Sequence, residues 1–208
     1  MRVGILGGTF DPVHMGHLII AEQARVQLDL DKVIFMPAGK PWMKSDRHVS
    51  AAEHRVAMLR FALNDNPAFE ISTIEIDRQG ASYTVDTLEV LHDMLGRDVK
   101  MYLLIGWDAV NSLPSWREPD KIMKLAVIVS IARPGYDRPD IDLLEIHLPG
   151  IGNRIVSLDH PLIEISSTDI KSRVMQNKSI RYLVPNSVER YIYDSAIYSV
   201  KNSLDANI

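Results

Sequence analysis

The sequence predicts an α/β protein with a parallel sheet and helices on both of its faces. Short apolar runs alternate along the chain with segments whose apolar residues recur at helical spacing. The runs at residues 33–36, 101–105 and 126–131 are almost continuously apolar, as expected for strands buried on both faces. Together these observations favour a doubly wound, Rossmann-like sheet, whose ligands bind beyond the carboxyl ends of the strands.

The individual elements follow in chain order. The first strand ends at Gly7 and Gly8, and helical spacing resumes from Leu18 to Leu28. Ser50 and Glu53 have the spacing of a capping box, which predicts a helix that begins there and ends at residues 64–67. The other strand candidates are residues 33–36, 71–76, 101–105, 126–131, 154–158 and 162–165. The other helix candidates are residues 85–95, short pieces between 107 and 125, residues 169–176 and residues 188–198.

The chain length favours one domain with embellishments. We expect residues 1–208 to form a single domain with a small C-terminal helical part at about 166–198 and a frayed tail at 199–208. Residues 133–152 are rich in Pro, Gly and Asp and predict a loop with at most one edge strand.

Composition excludes several functional classes. With 46% hydrophobic and 24% charged residues, the chain is typical of globular proteins. The absence of cysteine rules out disulfides, thiolate metal sites and cysteine nucleophiles. A net charge of −4 argues against bulk attraction to nucleic acid. The start resembles no signal peptide and the apolar runs are too short to span a bilayer, so we expect a cytoplasmic protein without a membrane partner.

The turn after the first strand is the strongest functional signal. Gly7 and Gly8 let the backbone approach a ligand, and the helix that follows favours an anion at its N-terminus. His14 and His17 are three residues apart, so they share one face of the first helical turn and could donate hydrogen bonds to phosphate oxygens. Core histidines, or a metal pair with Asp11, are the alternatives.

Residues 7–17 read G-G-T-F-D-P-V-H-M-G-H and resemble the signature of bacterial nicotinate mononucleotide adenylyltransferases. Their H-x-G-H element also resembles the H-I-G-H motif of class I aminoacyl-tRNA synthetases. Near the other end, residues 165–171 read I-S-S-T-D-I-K and resemble the family's I-S-S-T-x-I-R motif, with Lys171 in place of arginine. Lysine can hold phosphate as a point charge, but it lacks the bidentate fork.

Four further segments resemble the family in the same order, over roughly residues 2–198. The first two are the loop that ends at Lys44 and the helix start at Tyr83 and Thr84. The other two are the pair Gly106 and Asp108 after a strand, and the L-P-S-W segment that ends at Trp116. Arg133 comes after them and resembles the arginine of the family's R-P segment. Trp107 is bulkier than the small residue expected there, and Trp42 and Met43 replace Pro-His before Lys44.

The resemblance implies adenylyl transfer from ATP to nicotinate mononucleotide, with release of pyrophosphate and with Mg²⁺ carried by ATP. His14, His17 and Lys171 are then the catalytic residues. The implied ATP-binding residues are Gly7, Gly8, Thr9, Phe10, His14, His17, Gly106, Asp108, Ser167, Thr168 and Lys171. The implied substrate-binding residues are Asp11, Lys44, Tyr83, Thr84, Trp116 and Arg133, with no protein metal site.

Three other functions stay open from the sequence. The first is a nicotinamide-preferring enzyme, whose substrate differs from nicotinate mononucleotide only in an amide in place of the carboxylate. The second is phosphopantetheine adenylyltransferase, which shares the first motif but lacks the segments at residues 82–84 and 113–116. A non-catalytic nucleotide sensor could retain the fold. A homo-oligomer is also compatible with the sequence.

Overall fold

The computed structural model describes residues 1–39, 49–78, 80–96 and 98–198, and within them it contains one six-stranded, all-parallel sheet. The strands are β1 (Arg2–Gly8), β2 (Lys32–Pro37), β3 (Phe69–Ile71), β4 (Lys100–Gly106), β5 (Ala126–Ile131) and β6 (Ile155–Leu158). Their order across the sheet is β3-β2-β1-β4-β5-β6. The chain therefore runs outward from β1 in one direction and from β4 in the other, which opens a crevice at the carboxyl ends of these two neighbours.

Helices follow most strands, as predicted. They are α1 (Met15–Gln27), α2 (Ala52–Leu63), α3 (Ile74–Asp77), α4 (Thr84–Leu95), α5 (Trp107–Ser112), α6 (Pro119–Leu125), α7 (Ile141–His147), α8 (Ser167–Met175) and α9 (Asn186–Asp194). Short 3-10 turns lie at Leu113–Ser115 and Ile151–Asn153.

The two faces of the sheet bury alternate residues of the same strands. Leu6 and Leu104 face one layer, which contains α1, α2, α8 and α9. Ile5 and Leu103 face the other layer, which contains α4, α5, α6 and α7. Because successive side chains of a strand point to opposite faces, the continuous apolar runs place a core on each side. The predicted doubly wound α/β fold is confirmed.

The capping box predicted at Ser50 is wrong. Helix α2 begins at Ala52, its N-cap is Ala51, and no side chain caps it. The backbone of Ser50 is used elsewhere: its N–H donates to Asp11 at 3.0 Å and its carbonyl accepts from Arg55 at 3.1 Å. A long-range partner thus displaces the local motif.

Three other segments differ from the prediction. Ile74 and Ile76 lie in the helical turn α3 rather than in a strand, because Thr73 donates to Asp77 at 2.7 Å and closes that turn. Residues 133–152 contain α7, capped by Asp140. Residues 162–165 form no strand, since the chain leaves the sheet after β6 and bonds Asp159 to Gln27 at the end of α1.

The central strand β4 offers a test of this core. Leu104 is 1% exposed, so Leu104→Ala should lower the free energy of unfolding by about 2–5 kcal/mol, through lost burial and the cavity left behind. The matched control is Leu143→Ala on α7, where leucine is 53% exposed and the expected change is below about 0.5 kcal/mol. Urea unfolding measures both. Equal effects would contradict the packing described here.

Candidate active site

Four segments meet at the crevice beyond β1 and β4. The turn after β1 contacts the start of α8, where the Ser167 hydroxyl donates to the Pro12 carbonyl at 2.9 Å. The segment after β4 contacts the segment after β5, where Arg133 donates to Asp108 at 2.7 Å. The charge of Arg133 lowers the pKa of His14, so the segment after β5 lies near the turn after β1. Most of the predicted site residues are therefore gathered around one crevice.

The two glycines of the turn have different structural reasons. A Cβ on Gly8 would lie 3.1 Å from the ring of Phe10, which is 1% exposed and has a left-handed φ of 51°. A Cβ on Gly7 would enter open space. Packing therefore requires Gly8, whereas Gly7 leaves an uncovered backbone surface at the end of β1. The carbonyl of Thr9 accepts a hydrogen bond from Arg55 on α2 at 2.9 Å, which holds the turn against that helix.

The histidine pair opens α1. The backbone N–H of His14 donates to Nδ1 of His17 at 3.2 Å, and the two rings stack with their centroids 3.7 Å apart. Since Nδ1 of His17 accepts, the neutral ring carries its proton on Nε2. A Cβ on Gly16 would lie 3.1 Å from Nδ1 of His14, so the glycine between the histidines makes room for the ring.

His14 is a neutral imidazole at physiological pH. Burial, and secondarily the charge of Arg133, lower its pKa to about 4. Its Nδ1 is buried without a hydrogen-bond partner among the residues that the structure describes. A buried, unsatisfied ring nitrogen at a helix N-terminus is a feature that a bound ligand would satisfy.

The second predicted cradle lies at the start of α8. Ser166 caps the helix by accepting from the Asp169 N–H at 3.1 Å, and Thr168 is exposed at the helix start. Lys171, one turn further, forms an ion pair with Asp11. The lysine that was expected at the phosphates is thus anchored to the first motif in this structure.

Asp11 is a buried carboxylate with partners on both oxygens. Its residue is 2% exposed, and it accepts from Lys171, from Tyr198 at 2.7 Å and from the Ser50 N–H at 3.0 Å. Burial by itself would raise the pKa of Asp11, but these three hydrogen bonds outweigh it and lower the pKa. Asp11 is therefore ionised and organises the side chains around it.

Two residues at the switch point form a half-exposed ion pair. Asp108 bonds Arg133 through Oδ2, while its buried Oδ1 has no partner within the described part of the chain. A Cβ on Gly106 would lie 2.6 Å from that same oxygen. Gly106 therefore permits the close approach of Asp108, whose buried Oδ1 keeps an unsatisfied acceptor.

The predicted pyridine-side residues lie on the α4 side of the sheet. Tyr83 is the N-cap of α4 and Thr84 is its first residue. Arg117, the neighbour of Trp116, lies 4.8 Å over the Tyr83 ring and brings the two segments together. The indole N–H of Trp116 donates to Ser112 at 3.1 Å and fixes the ring. Lys44 lies outside the described residues, as does the tail at 199–208.

Sequence reasoning missed three residues of this region: Ser50, Arg55 and Tyr198. Arg55 is 3% exposed and shares a face of α2 with Ala52, Met58 and Leu59, so a charged residue on an apolar helix face was the available signal. No local pattern identifies Tyr198, because its partner Asp11 lies 187 residues away.

Two further findings bear on function. Within residues 1–39, 49–78, 80–96 and 98–198, no three His, Asp or Glu side chains converge as metal ligands. Over the same residues, no helix has the length and apolar character needed to cross a membrane.

The class of protein follows from fold and motif. Residues 5–173 match the cytidylyltransferase-like family. The solved structure of nicotinic acid mononucleotide adenylyltransferase from Plasmodium falciparum, complexed with NaAD, superimposes with a TM-score of 0.76 over 95% of this chain and 97% of that one. At 18% identity, this likeness concerns the fold.

Closer relatives narrow the class. The chain is 48% identical over 196 residues to a protein of Roseiflexus sp. (strain RS-1) named "probable nicotinate-nucleotide adenylyltransferase", covering 94% of this chain and 97% of that protein. A protein of the same name from Dehalococcoides mccartyi (strain CBDB1) is 40% identical over 201 residues, covering 97% and 98%. The chain therefore belongs to the nicotinate-nucleotide adenylyltransferases of the cytidylyltransferase-like family, and the predicted resemblance is confirmed.

The low pKa of His14 predicts an acid-dependent loss of stability. In the unfolded chain His14 binds a proton near pH 6.5, whereas in the folded protein it binds one only near pH 4. The free energy of unfolding therefore falls as the pH drops from 6.5 to 4. Between pH 7 and pH 5 this residue should contribute a loss of about 2 kcal/mol. Urea unfolding at both pH values should show a smaller loss in His14→Gln than in wild type. His147→Gln, at an exposed position, should keep the wild-type loss.

Proposed function

We propose that this chain transfers the adenylyl group of ATP, as its magnesium complex, to nicotinate mononucleotide, yielding nicotinate adenine dinucleotide and pyrophosphate. One observation carries the proposal. The uncovered Gly7 backbone, a stacked histidine pair with a buried unsatisfied nitrogen and the start of α1 all lie at the end of the central strand β1. That is an anion site built from directional donors, which suits the phosphates of a nucleotide.

The reaction needs alignment more than proton transfer. A phosphate oxygen of the mononucleotide, already ionised near neutral pH, forms a bond to the α-phosphorus of ATP. The bond from that phosphorus to the bridging oxygen of the β-phosphate breaks, and pyrophosphate leaves with the electron pair. The protein's task is to hold the two phosphates in line and to stabilise the charge that develops on the oxygens.

The residues divide this task by location. Backbone N–H groups of Gly7 and Gly8 and the rings of His14 and His17 face the α- and β-phosphates. Ser167, Thr168 and Lys171 approach the triphosphate from the start of α8. Thr9 and Phe10 shape the turn, and Gly106 and Asp108 contact the adenosine ribose. A magnesium ion that arrives with ATP would be held mostly by phosphate oxygens and water.

The pyridine mononucleotide lies on the α4 side. First-turn N–H groups near Tyr83 and Thr84 point out of the helix start, where a carboxylate is favoured. Trp116 offers its ring for stacking, and Arg133 and Lys44 contribute positive charge. The same proposal includes a single domain over residues 1–208, a cytoplasmic location and no nucleic-acid partner, which the net charge of −4 supports.

His17 tests the phosphate role. His17→Ala should reduce kcat by about 10²- to 10³-fold, because one preorganised donor to a transition-state oxyanion is lost. His17→Asn is the matched variant, since its amide oxygen can still accept from the His14 N–H while the Nε2 donor disappears. We expect the two variants to lose kcat similarly, and His17→Asn to unfold like wild type because it keeps this acceptor. Pyrophosphate release measures turnover, and near-wild-type kcat in His17→Asn would refute the assignment.

Substrate choice tests the pyridine side and separates the alternatives. With ATP present, kcat/KM for nicotinate mononucleotide should exceed that for the nicotinamide form by roughly tenfold or more, because an amide NH₂ leaves first-turn donors unpaired. Trp116→Ala should weaken both substrates alike, since stacking does not distinguish the rings. A wild-type ratio near one would favour a nicotinamide-tolerant enzyme. Turnover with phosphopantetheine but with neither mononucleotide would support a phosphopantetheine adenylyltransferase. Nucleotide binding without any turnover would support a non-catalytic sensor.

A further inference from the structure

Tyr198 is a buried residue that the proposed reaction does not use. It follows α9, is 8% exposed, and donates its hydroxyl to Oδ1 of Asp11 at 2.7 Å. Burial and the charge of Asp11 raise the pKa of Tyr198 above its ordinary range, so the hydroxyl stays protonated and remains a donor. A donor from the far end of the described chain therefore completes the first motif.

Asp11 and Tyr198 hold Lys171 from two sides. The carboxylate of Asp11 pairs with the ammonium of Lys171, and the ammonium also lies 5.3 Å from the centroid of the Tyr198 ring. Lys171 itself is one helical turn beyond Ser167, whose hydroxyl is bonded to the Pro12 carbonyl. The lysine is thus fixed between the two motifs that face the nucleotide phosphates.

We propose that Asp11 and Tyr198 are positioning residues, which hold the ammonium of Lys171 at the triphosphate site. This inference rests on the proposed function, because it assigns a positioning role to two residues of the same site. A lysine side chain has four flexible carbons, and restraining it before the nucleotide arrives reduces the entropy lost on binding. An ammonium has three donors, so a bond to Asp11 leaves donors for phosphate oxygens.

The proposal has a pH signature. In the part of the chain that the structure describes, Asp11 is faced by Lys171 from α8, Arg55 from α2 and Tyr198 from the segment after α9. The hydrogen bond from Tyr198 is one of the contributions that lower the pKa of Asp11. Its removal should let Asp11 take up a proton at higher pH, and the anchor of Lys171 is then lost earlier as pH falls.

The first experiment uses Tyr198→Phe, which removes the hydroxyl and keeps the ring. Calorimetric binding of a non-hydrolysable ATP analogue should weaken about three- to tenfold at pH 7, and the acidic limb of its pH dependence should move to higher pH. The matched control is Tyr193→Phe on α9, where tyrosine is 48% exposed. It should bind like wild type. A loss of affinity in Tyr198→Phe that is equally large in the Lys171→Ala background would indicate packing alone and would overturn the proposal.

A double-variant cycle asks whether the effect passes through Lys171. If it does, adding Tyr198→Phe to Lys171→Ala should weaken the analogue by less than about twofold beyond Lys171→Ala alone. Fully multiplicative effects would refute the positioning role. Should Tyr198→Phe not fold, as judged by unfolding curves, Asp11→Asn keeps the carboxylate shape without its charge and enters the same cycle with the same expected non-additivity.

The analogue separates this inference from the proposed function. Its binding requires no acceptor nucleotide, so the cycle remains decisive even if the wild type releases no pyrophosphate with nicotinate mononucleotide. That result would refute the proposed function alone. Conversely, normal turnover with a multiplicative cycle would refute the positioning role alone. In the turnover assay, the proposal predicts a raised KM for ATP in Tyr198→Phe with the KM for the mononucleotide unchanged.

Discussion

One buried carboxylate ties together the parts of the chain that form the site. Asp11 is 2% exposed, and leaving such a charge without partners would cost several kcal/mol. It is bonded by the Ser50 backbone before α2, by Lys171 on α8 and by Tyr198 after α9. Because each partner belongs to a different segment, satisfying this single group ties α8 and the segments that flank α2 and α9 to the turn that follows β1.

The sheet imposes a second constraint, which explains where polar chemistry is possible. Strands β1, β2, β4 and β5 are covered on both faces, so their interiors are almost wholly apolar. Polar groups are left to the strand ends, where backbone amides are not used by the sheet. The order reversal between β1 and β4 then places the ends of two adjacent strands beside an uncovered crevice. Gly7 at the end of β1 and Gly106 at the end of β4 are therefore on the same edge of the sheet.

The sequence allowed the fold and the site's ingredients to be predicted, but not how they interlock. Strands buried on both faces carry strong, local signals, and β5 has the predicted bounds. The capping box predicted at Ser50 was wrong because the Ser50 N–H bonds the distant carboxylate of Asp11 instead of a side chain of its own helix. Helix α7 was missed because seven residues are too few for a clear helical period. Tyr198 has its partner at the opposite end of the chain, and no local pattern encodes such a contact.

Two cations of the described site are paired with carboxylates in this structure, which bears on how the proposed function would recognise phosphates. Lys171 is paired with Asp11, Arg133 is paired with Asp108, and burial keeps His14 neutral. Attraction by net charge would stabilise substrate, transition state and pyrophosphate alike, which lowers KM without accelerating the chemical step. Neutral ring and backbone donors act at short range and in fixed directions, so they can favour the geometry in which charge shifts from the α-phosphate to the leaving group. Under the proposed function, a lysine tethered to a carboxylate would act in the same way, because its position would determine which oxygen it stabilises.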